Sequence, residues 1–291
     1  MNRRGILLAG GANSRFYPAT LAAAKSLLPI YDKPLAYYPL AALMEAGVSE
    51  VLVIAAPPHL ESHRRLLGDG GAWGMRFSYL PQTKPRGIAD AFLIGAEFVG
   101  GADSALALAD NVHYGGGMRE ILRRAAAQKT GATVFAFRTP EPERFGVAEF
   151  GADGEVKSLE EKPARPKSNF AVTGLYFYDS AVCEIAAELP PSARGELEIT
   201  DINRAYLRRG ALRAEKMPED AVWFDAGTPE SLAAAADFVR ETQRRKRTIV
   251  AAPEEIAWRN DWITREDLSR LAAALGKTQY AAHLQKLAVS Y

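Results

Sequence analysis

The sequence predicts an α/β protein built on a mostly parallel central sheet flanked by helices, with a β-rich insertion and a short helical tail. Three observations carry that reading. Short apolar runs alternate with helical patterns through the first half, the arrangement that generates parallel sheets with helices on both faces. From about Phe145 the pattern turns into aromatic and β-branched strands around a hairpin signal. After Pro253 only short helical patterns remain.

The elements follow in order. The runs at 5–11 (GILLAGG), 50–57, 75–82, 104–111 and 132–139 read as strands, because four to eight mostly apolar residues bounded by turn formers fit a strand buried on both faces. Segments 34–47, 88–100 and 118–129 carry helical spacing between them. Ligands of such sheets bind beyond the carboxyl ends of the strands, which points to the loops after Ala9, Leu80 and Leu108. In the insertion, "FGVAEF" and "EVKSLEEKP" flank Ala152-Asp153-Gly154, a hairpin signature. "NFAVTGLYFYD" (169–179) is a further strand, 180–189 and 197–209 are helical, and "LRAEKMP" and "AVWFDAGT" are returning strands. A helix over about 229–247 follows, with Thr228 placed to cap it. In the tail, Thr264 and Asp267 stand at capping-box spacing. No repeat or linker divides the chain.

Composition narrows the function classes. Lys plus Arg (36) and Asp plus Glu (35) nearly cancel, which disfavours nucleic-acid binding through bulk charge. The basic run at 240–247 reads as a solvated helix face. The single Cys183 rules out an internal disulfide and a cysteine-based zinc site, and its apolar neighbours make it a packed thiol. No apolar run reaches membrane-spanning length and the start carries no signal-peptide pattern. The expectation is a soluble, cytoplasmic protein without a membrane or nucleic-acid partner.

Four places can carry chemistry. After the first strand, Gly10-Gly11 frees backbone N–H groups to face an anion, and Arg15 and Lys25 supply a bidentate and a point-like cation nearby. The loop matches neither the P-loop nor the dinucleotide fingerprint, and a plain turn is the competing reading. Asp110 ends an apolar strand, where it can hold Mg²⁺ or, alternatively, form an Asx turn or cap the 118–129 helix. Asp225 also follows a strand-like run and, with Thr228 as the cap, is free for another task. Glu161 and Lys162 are sequence neighbours that a strand would point to opposite faces; an exposed charged hairpin is the alternative. Two strand-end carboxylates, an anion loop and two cations are equipment for phosphoryl or nucleotidyl transfer, which consists largely of positioning and charge neutralisation.

Taken together, "LAGGANSRFYPAT", "KSLLPIYDKP", "ADN", "ERFGV", "LEEKP", "VTGLYFYD", "SARGELEITDIN" and "WFDAGT" resemble the glucose-1-phosphate thymidylyltransferase family from about Arg4 to the "PEEIAW" near residue 258. The resemblance implies a Rossmann-like nucleotidyltransferase fold, with a catalytic domain over 1–250, a sugar-binding part at about 140–220 and a helical appendage over 251–291. It implies Mg²⁺-dependent attack of a sugar 1-phosphate oxygen on the α-phosphorus of a nucleoside triphosphate, giving dTDP-glucose and pyrophosphate from glucose 1-phosphate and dTTP. Leu8, Gly10, Gly11, Ser14, Arg15 and Lys25 would hold the triphosphate. Gln82 and Gly87 would contact the base, and Asp110 and Asp225 would ligate Mg²⁺. Asn111, Gly146, Glu161, Lys162 and Val172 would hold the sugar phosphate, with Arg15, Lys25, Asp110, Lys162 and Asp225 as the catalytic set. The family resemblance also implies a cytoplasmic homotetramer feeding dTDP-rhamnose and related pathways.

The sequence departs from the family pattern in places. Asn13 stands where the loop usually carries a glycine, a substitution Asn tolerates better than most residues. The base segment P-[DE]-G-L-A-Q-A is here Pro85-Arg86-Gly87-Ile88-Ala89-Asp90-Ala91, and His113 replaces an aromatic. The altered segment keeps open UTP or another sugar 1-phosphate as substrate. A catalytically silent nucleotide-sugar binder is a third reading, opposed by the complete set of charged residues. The family's regulatory site for an end-product nucleotide sugar uses an Arg and a Lys where this chain has Glu219 and Ile249, so feedback inhibition is expected to be weak.

Overall fold

The computed structural model describes residues 3–11 and 14–289; Asn13, on which the loop expectation rests, lies outside the described residues. In chain order the elements begin with β1 (Arg4–Ala9), β2 (Pro29–Ile30), β3 (Lys33–Pro34), α1 (Tyr37–Glu45), β4 (Glu50–Ala55), α2 (Pro57–Leu67) and β5 (Arg76–Pro81). Next come α3 (Asp90–Ile94), α4 (Ala96–Val99), β6 (Ser104–Leu108), β7 (Asn111–Tyr114), α5 (Met118–Ala127) and β8 (Ala132–Arg138). The insertion holds β9 (Gly146–Phe150), β10 (Val156–Glu161), β11 (Phe170–Tyr178), α6 (Val182–Ala187) and α7 (Ile199–Arg208). The chain then returns through β12 (Leu212–Lys216), β13 (Val222–Asp225) and α8 (Pro229–Lys246), and ends in α9 (Pro253–Arg259), α10 (Arg265–Ala274) and α11 (Gln279–Val289).

The central sheet has nine strands, with β10-β9-β11-β6-β1-β4-β5 as its main path and β8 and β12 branching from β11. Relative to β1, strands β4, β5, β6, β8, β9 and β12 run the same way, and β10 and β11 run against them. Burial on both faces accounts for the continuous apolar runs of β1 and β4. Leu7, Val51, Val53, Ala105 and Ala107 face a core shared with α1 and α5. Their neighbours Ile6, Leu8, Leu52, Ile54 and Leu106 face the opposite core, with α3, α6 and α7. Alternation along each strand divides the two layers. A third cluster joins Ile30, Leu35, Tyr38, Val112, Ala226 and Val239, tying α8 to the small β7–β13 ladder.

Along β11 the sheet forks. β8 runs along one edge of β11, while the other edge pairs with β9 at Ala171 and with β6 from Leu175 to Tyr178. Between these contacts the ladder is interrupted at Thr173 and Gly174. The gap opens one wall of a cavity.

Some sequence expectations need correction. The single helix over 88–100 is two short helices meeting at Gly95, where an added Cβ would stand 3.0 Å from the Ala91 carbonyl and from Leu52. The glycine lets this corner lie close to the sheet. Helix α2, which the sequence reading did not assign, opens on two prolines, accepted at the first helical positions. Asp110 is not a helix cap, since Gly117 precedes α5. The boxes at Thr228 and Thr264 are present, with Ser231 and Asp267 as the reciprocating partners. No helix among the described residues is long and apolar enough to cross a membrane.

Candidate active site at the ends of the parallel strands

Two adjoining cavities lie beyond the carboxyl ends of β1, β5 and β6. The first is lined by Leu8, Gly10 and Gly11 after β1, Gln82 and Gly87 after β5, and Asp110 after β6, with Lys25 and Ser26 across from them. The second, of about 560 Å³, lies against the insertion and is lined by Arg15, Asn111, Gly146, Glu161, Lys162, Val172 and Asp225, among others. Asp110, Ile88 and Leu108 line both. A reaction between two ligands needs such a shared wall.

Backbone shape sets up the first cavity. Gly11 has φ +104, a conformation L side chains rarely adopt, and Gly10 has no room for a Cβ because Gln82 Oε1 would lie 1.9 Å from it. Gly87 (φ +109) sits against the Leu197 backbone, where an added Cβ would meet the carbonyl at 2.4 Å. Its neighbours bond across that contact, Leu197 N to the Arg86 carbonyl at 2.7 Å and Ala89 N to the Leu197 carbonyl at 3.1 Å. The loop after β5 is thus stitched to the loop that precedes α7.

Lys25 lies in a one-turn 3₁₀ helix, Lys25–Leu27, with its Nζ 2.5 Å from Asp110 Oδ2. A buried pair behind it fixes that turn. His63 of α2 has Nδ1 2.8 Å from the His59 carbonyl, which can only accept, so Nδ1 carries the proton. Nε2 then accepts from Ser26 Oγ at 2.8 Å. Asp110 Oδ1 takes a bond from Asn111 Nδ2 at 2.8 Å. Asn111 Oδ1 in turn accepts from Gly174 N at 3.1 Å and Trp223 Nε1 at 2.6 Å. Three elements, β6–β7, β11 and β13, therefore set the orientation of one carboxylate.

Asp225 ends β13, paired in register with Asn111, and the Ala226 N–H donates to the Asp110 carbonyl at 2.8 Å. Burial works against both charges. At Asp110 the Lys25 ammonium and the bonds from Lys25 and Asn111 outweigh that penalty and hold the carboxyl below its ordinary range. At Asp225 burial and the Asp110 charge push the carboxyl up to about 6, against the pull of Lys25, Arg144 and Arg15. Two carboxylates that repel each other at the wall shared by two cavities suit a hard divalent cation, whose further oxygen ligands would come from substrate and water. Among the described residues no group of three or more His, Cys, Asp or Glu is gathered for a metal. The donor set fits Mg²⁺ rather than zinc.

In the second cavity Glu161 and Lys162 do not point apart. Lys162 lies just past the end of β10 with φ 42, so strand alternation has ended and both side chains face the cavity, Nζ to Oε1 at 3.8 Å. Glu161 Oε2 accepts from Thr200 Oγ1 at 2.5 Å, and Gly146 leaves room beside this pair. Arg15 lines this second cavity rather than the first. Ser14 is exposed and lines neither; its carbonyl accepts from Tyr17 N at 3.1 Å. The cavity also holds Arg144, Tyr176, Arg194, Thr200 and Trp223, which sequence reasoning did not assign. Arg144 and Arg194 were visible within "ERFG" and "SARGE" but had no strand-end position to mark them. His113 is packed and makes no hydrogen bond: both ring nitrogens are buried without partners among the described residues.

This fold and this pair of cavities define a transferase acting on phosphorylated ligands. The chain belongs to the nucleotidyl transferase family, whose family model matches residues 4–242. Within it, the chain groups with glucose-1-phosphate thymidylyltransferases. It is 51% identical to the Neisseria meningitidis serogroup A enzyme of that name, over 98% of this chain and 99% of the relative. It is 49% identical to the one from Mycobacterium tuberculosis (strain H37Rv), over 98% of each. Among solved structures, a Bacillus anthracis protein crystallised with sucrose matches with a TM-score of 0.76 and 40% identity, covering 82% of this chain and 96% of that one. A UDP-glucose pyrophosphorylase complexed with UDP-glucose matches with a TM-score of 0.73 and 26% identity, covering 83% and 100%.

Proposed function

We propose that the protein joins glucose 1-phosphate and dTTP to give dTDP-glucose and pyrophosphate. The observation that carries this reading is the pair of cavities sharing Asp110, one glycine-rich and one lined by Lys162, Glu161 and Arg15; the close relatives named for this activity support it. A sugar phosphate oxygen, already anionic near neutral pH, forms the new bond to the α-phosphorus as the bond to the pyrophosphate oxygen breaks. No proton has to move, so no general base is required. Lys162 holds the incoming phosphate, Glu161 and Gly146 receive the sugar, and Val172 forms the wall beside it. Gly10, Gly11, Leu8 and Lys25 hold the triphosphate, and Arg15 reaches its charge from the sugar side. Gln82 and Gly87 face the base. Asp110 and Asp225 would hold Mg²⁺, which when bound offsets charge on the phosphates in line with its usual role in such transfers.

The test is pyrophosphate release from a panel of triphosphates crossed with sugar 1-phosphates, with and without Mg²⁺. Preference for dTTP with glucose 1-phosphate is expected. A clear preference for UTP would favour the second reading, which the Arg86 and Asp90 departures and the similarity to a UDP-glucose pyrophosphorylase motivate. Absence of turnover with every pair would reject the enzyme. On the same family likeness we read the protein as a cytoplasmic homotetramer, to be checked by light scattering against four times 31.6 kDa.

A further inference from the structure

The segment after β5 holds a carboxylate that the transfer chemistry does not use. Asp90 opens α3 and is 1% exposed. Arg86 Nη2 stands 2.7 Å from its Oδ1, and Gln82 Nε2 stands 3.2 Å from its Oδ2. Gln82 is itself buried, and its Oε1 lies on the Gly10 side, at the wall of the nucleotide cleft. One amide therefore spans the distance from a buried acid to the cleft.

An ionised carboxylate only accepts hydrogen bonds, whereas an amide has one donating and one accepting end. The Arg86 guanidinium compensates the Asp90 charge. Asp90 thereby decides which way Gln82 points. Reversing the amide would set a carbonyl oxygen against a carboxylate oxygen in a place closed to water, and would strand the Nε2 protons.

We infer that Asp90 is a positioning residue for nucleobase selection. By holding the Gln82 carbonyl toward the cleft, it favours bases that present a ring N–H, the pyrimidine-2,4-diones, over cytosine, whose N3 is an acceptor. The inference rests on the nucleotide-cleft reading proposed above and adds the residue that sets its polarity. Arg86 and Asp90, which depart from the family pattern together, act as one unit: the acid orients the amide and the guanidinium stabilises the acid.

UDP and CDP differ only at this hydrogen-bonding edge, and their equilibrium binding to the full chain by calorimetry needs neither sugar nor turnover. The wild-type protein is expected to prefer UDP by on the order of 100-fold, since a site built for one hydrogen-bond polarity rejects the other strongly. In Asp90→Asn the new amide can donate as well as accept, so Gln82 is released. The preference should fall at least about tenfold, chiefly by tighter CDP binding. Asp90→Glu, which still only accepts, should retain the preference. A merely structural role would weaken both nucleotides together. An Asp90→Asn protein that melts like the wild type and keeps its preference overturns the inference, as does a wild type that binds both nucleotides equally. Binding of neither would instead reject the nucleotide-cleft reading. Should Asp90→Asn fail to fold, Asp90→Ser carries the same test, with a smaller side chain whose hydroxyl also donates and accepts.

Discussion

Lys25 occupies Oδ2 of Asp110 at 2.5 Å, and Asn111 occupies Oδ1. Removing the charge of Lys25 or of Asp110 disturbs both cavities, because Asp110 lines each of them. Lys25→Ala is expected to lower kcat by roughly 10²- to 10³-fold, the range seen when one preorganised charge or donor is lost from a transfer site. Asp110→Asn should do at least as much while leaving the melting temperature within a few degrees; activity near wild type in either variant would exclude this pair from the chemistry. His113 acts on stability instead. Burial pushes its imidazole down from 6.5 to about 4, and its two ring nitrogens have no partners. Above pH 6.5 the ring is neutral in both folded and unfolded chains, so nothing is lost. As the pH falls from 6.5 toward 4 the unfolded chain takes up the proton first, and stability declines by up to about 3 kcal/mol. Urea titrations at pH 7 and pH 4.5 should show His113→Phe losing less stability than the wild type over that interval. An equal loss in both would rule out His113 as a source of the acid sensitivity.

At the scale of elements, the parallel strands were legible because burial on both faces leaves no polar alternation to confuse them. The hairpin at Ala152-Asp153-Gly154 was legible from its turn chemistry, and Gly154 has the positive φ it needs (84). What escaped was set through space. The direction of Lys162 depends on where β10 stops, one residue earlier, and the Asn111 network joins three segments up to 112 residues apart. No spacing rule reports such contacts. Another cleft lies between α5, α9 and the segment that joins α8 to α9, lined by His113, Arg119, Glu255, Ile249 and Arg259 among others. Its arginines are already engaged: Arg119 Nη1 stands 3.1 Å from Glu45, and Arg259 Nη2 stands 2.9 Å from the same carboxylate. Glu219 is exposed on the turn before β13, outside the lining of this cleft. A cleft poor in available cations should hold a nucleotide sugar weakly, so dTDP-rhamnose is expected to inhibit feebly. Glu219→Arg with Ile249→Lys should tighten the inhibition constant by about tenfold or more, given that each charge-assisted bond contributes roughly 1.5–3 kcal/mol. Tight inhibition of the unaltered protein would reverse this expectation.

Across the whole molecule the two faces of the sheet have different tasks. The face packed by α3, α6 and α7 borders the loop after β5 and the insertion, while the other face, packed by α1 and α5, reaches the first cavity through Ala9 and Ala109 and lines none of the second. The tail helices belong to that second face. Ala252, Ile256, Ala257, Leu268, Tyr280 and Leu284 share one core with Leu40, Leu43 and Met44 of α1. A polar anchor joins them: Lys33, 4% exposed, reaches Asp32 at 2.5 Å and Gln243 at 3.4 Å, with its ammonium over the rings of Tyr38 and Tyr280. Tyr280 Oη donates to the buried Glu254 at 2.6 Å. Lys33 belongs to the segment that follows Lys25, so the tail braces the loop that bears Lys25 from behind. Ending the chain after Ala252 would leave the apolar face of α1 in water and take Tyr280, one of its two aromatic partners, from Lys33. Each buried Leu or Ile side chain so exposed forfeits about 1.5–3 kcal/mol, and a few such losses equal the stability of an ordinary domain. The shortened chain is therefore expected to lack a cooperative thermal transition and to be inactive, measured by far-UV circular dichroism melting and pyrophosphate release. A truncated protein that melts cooperatively within a few degrees of the full chain and turns over normally would show that the appendage is dispensable and that the loop bearing Lys25 holds its shape alone.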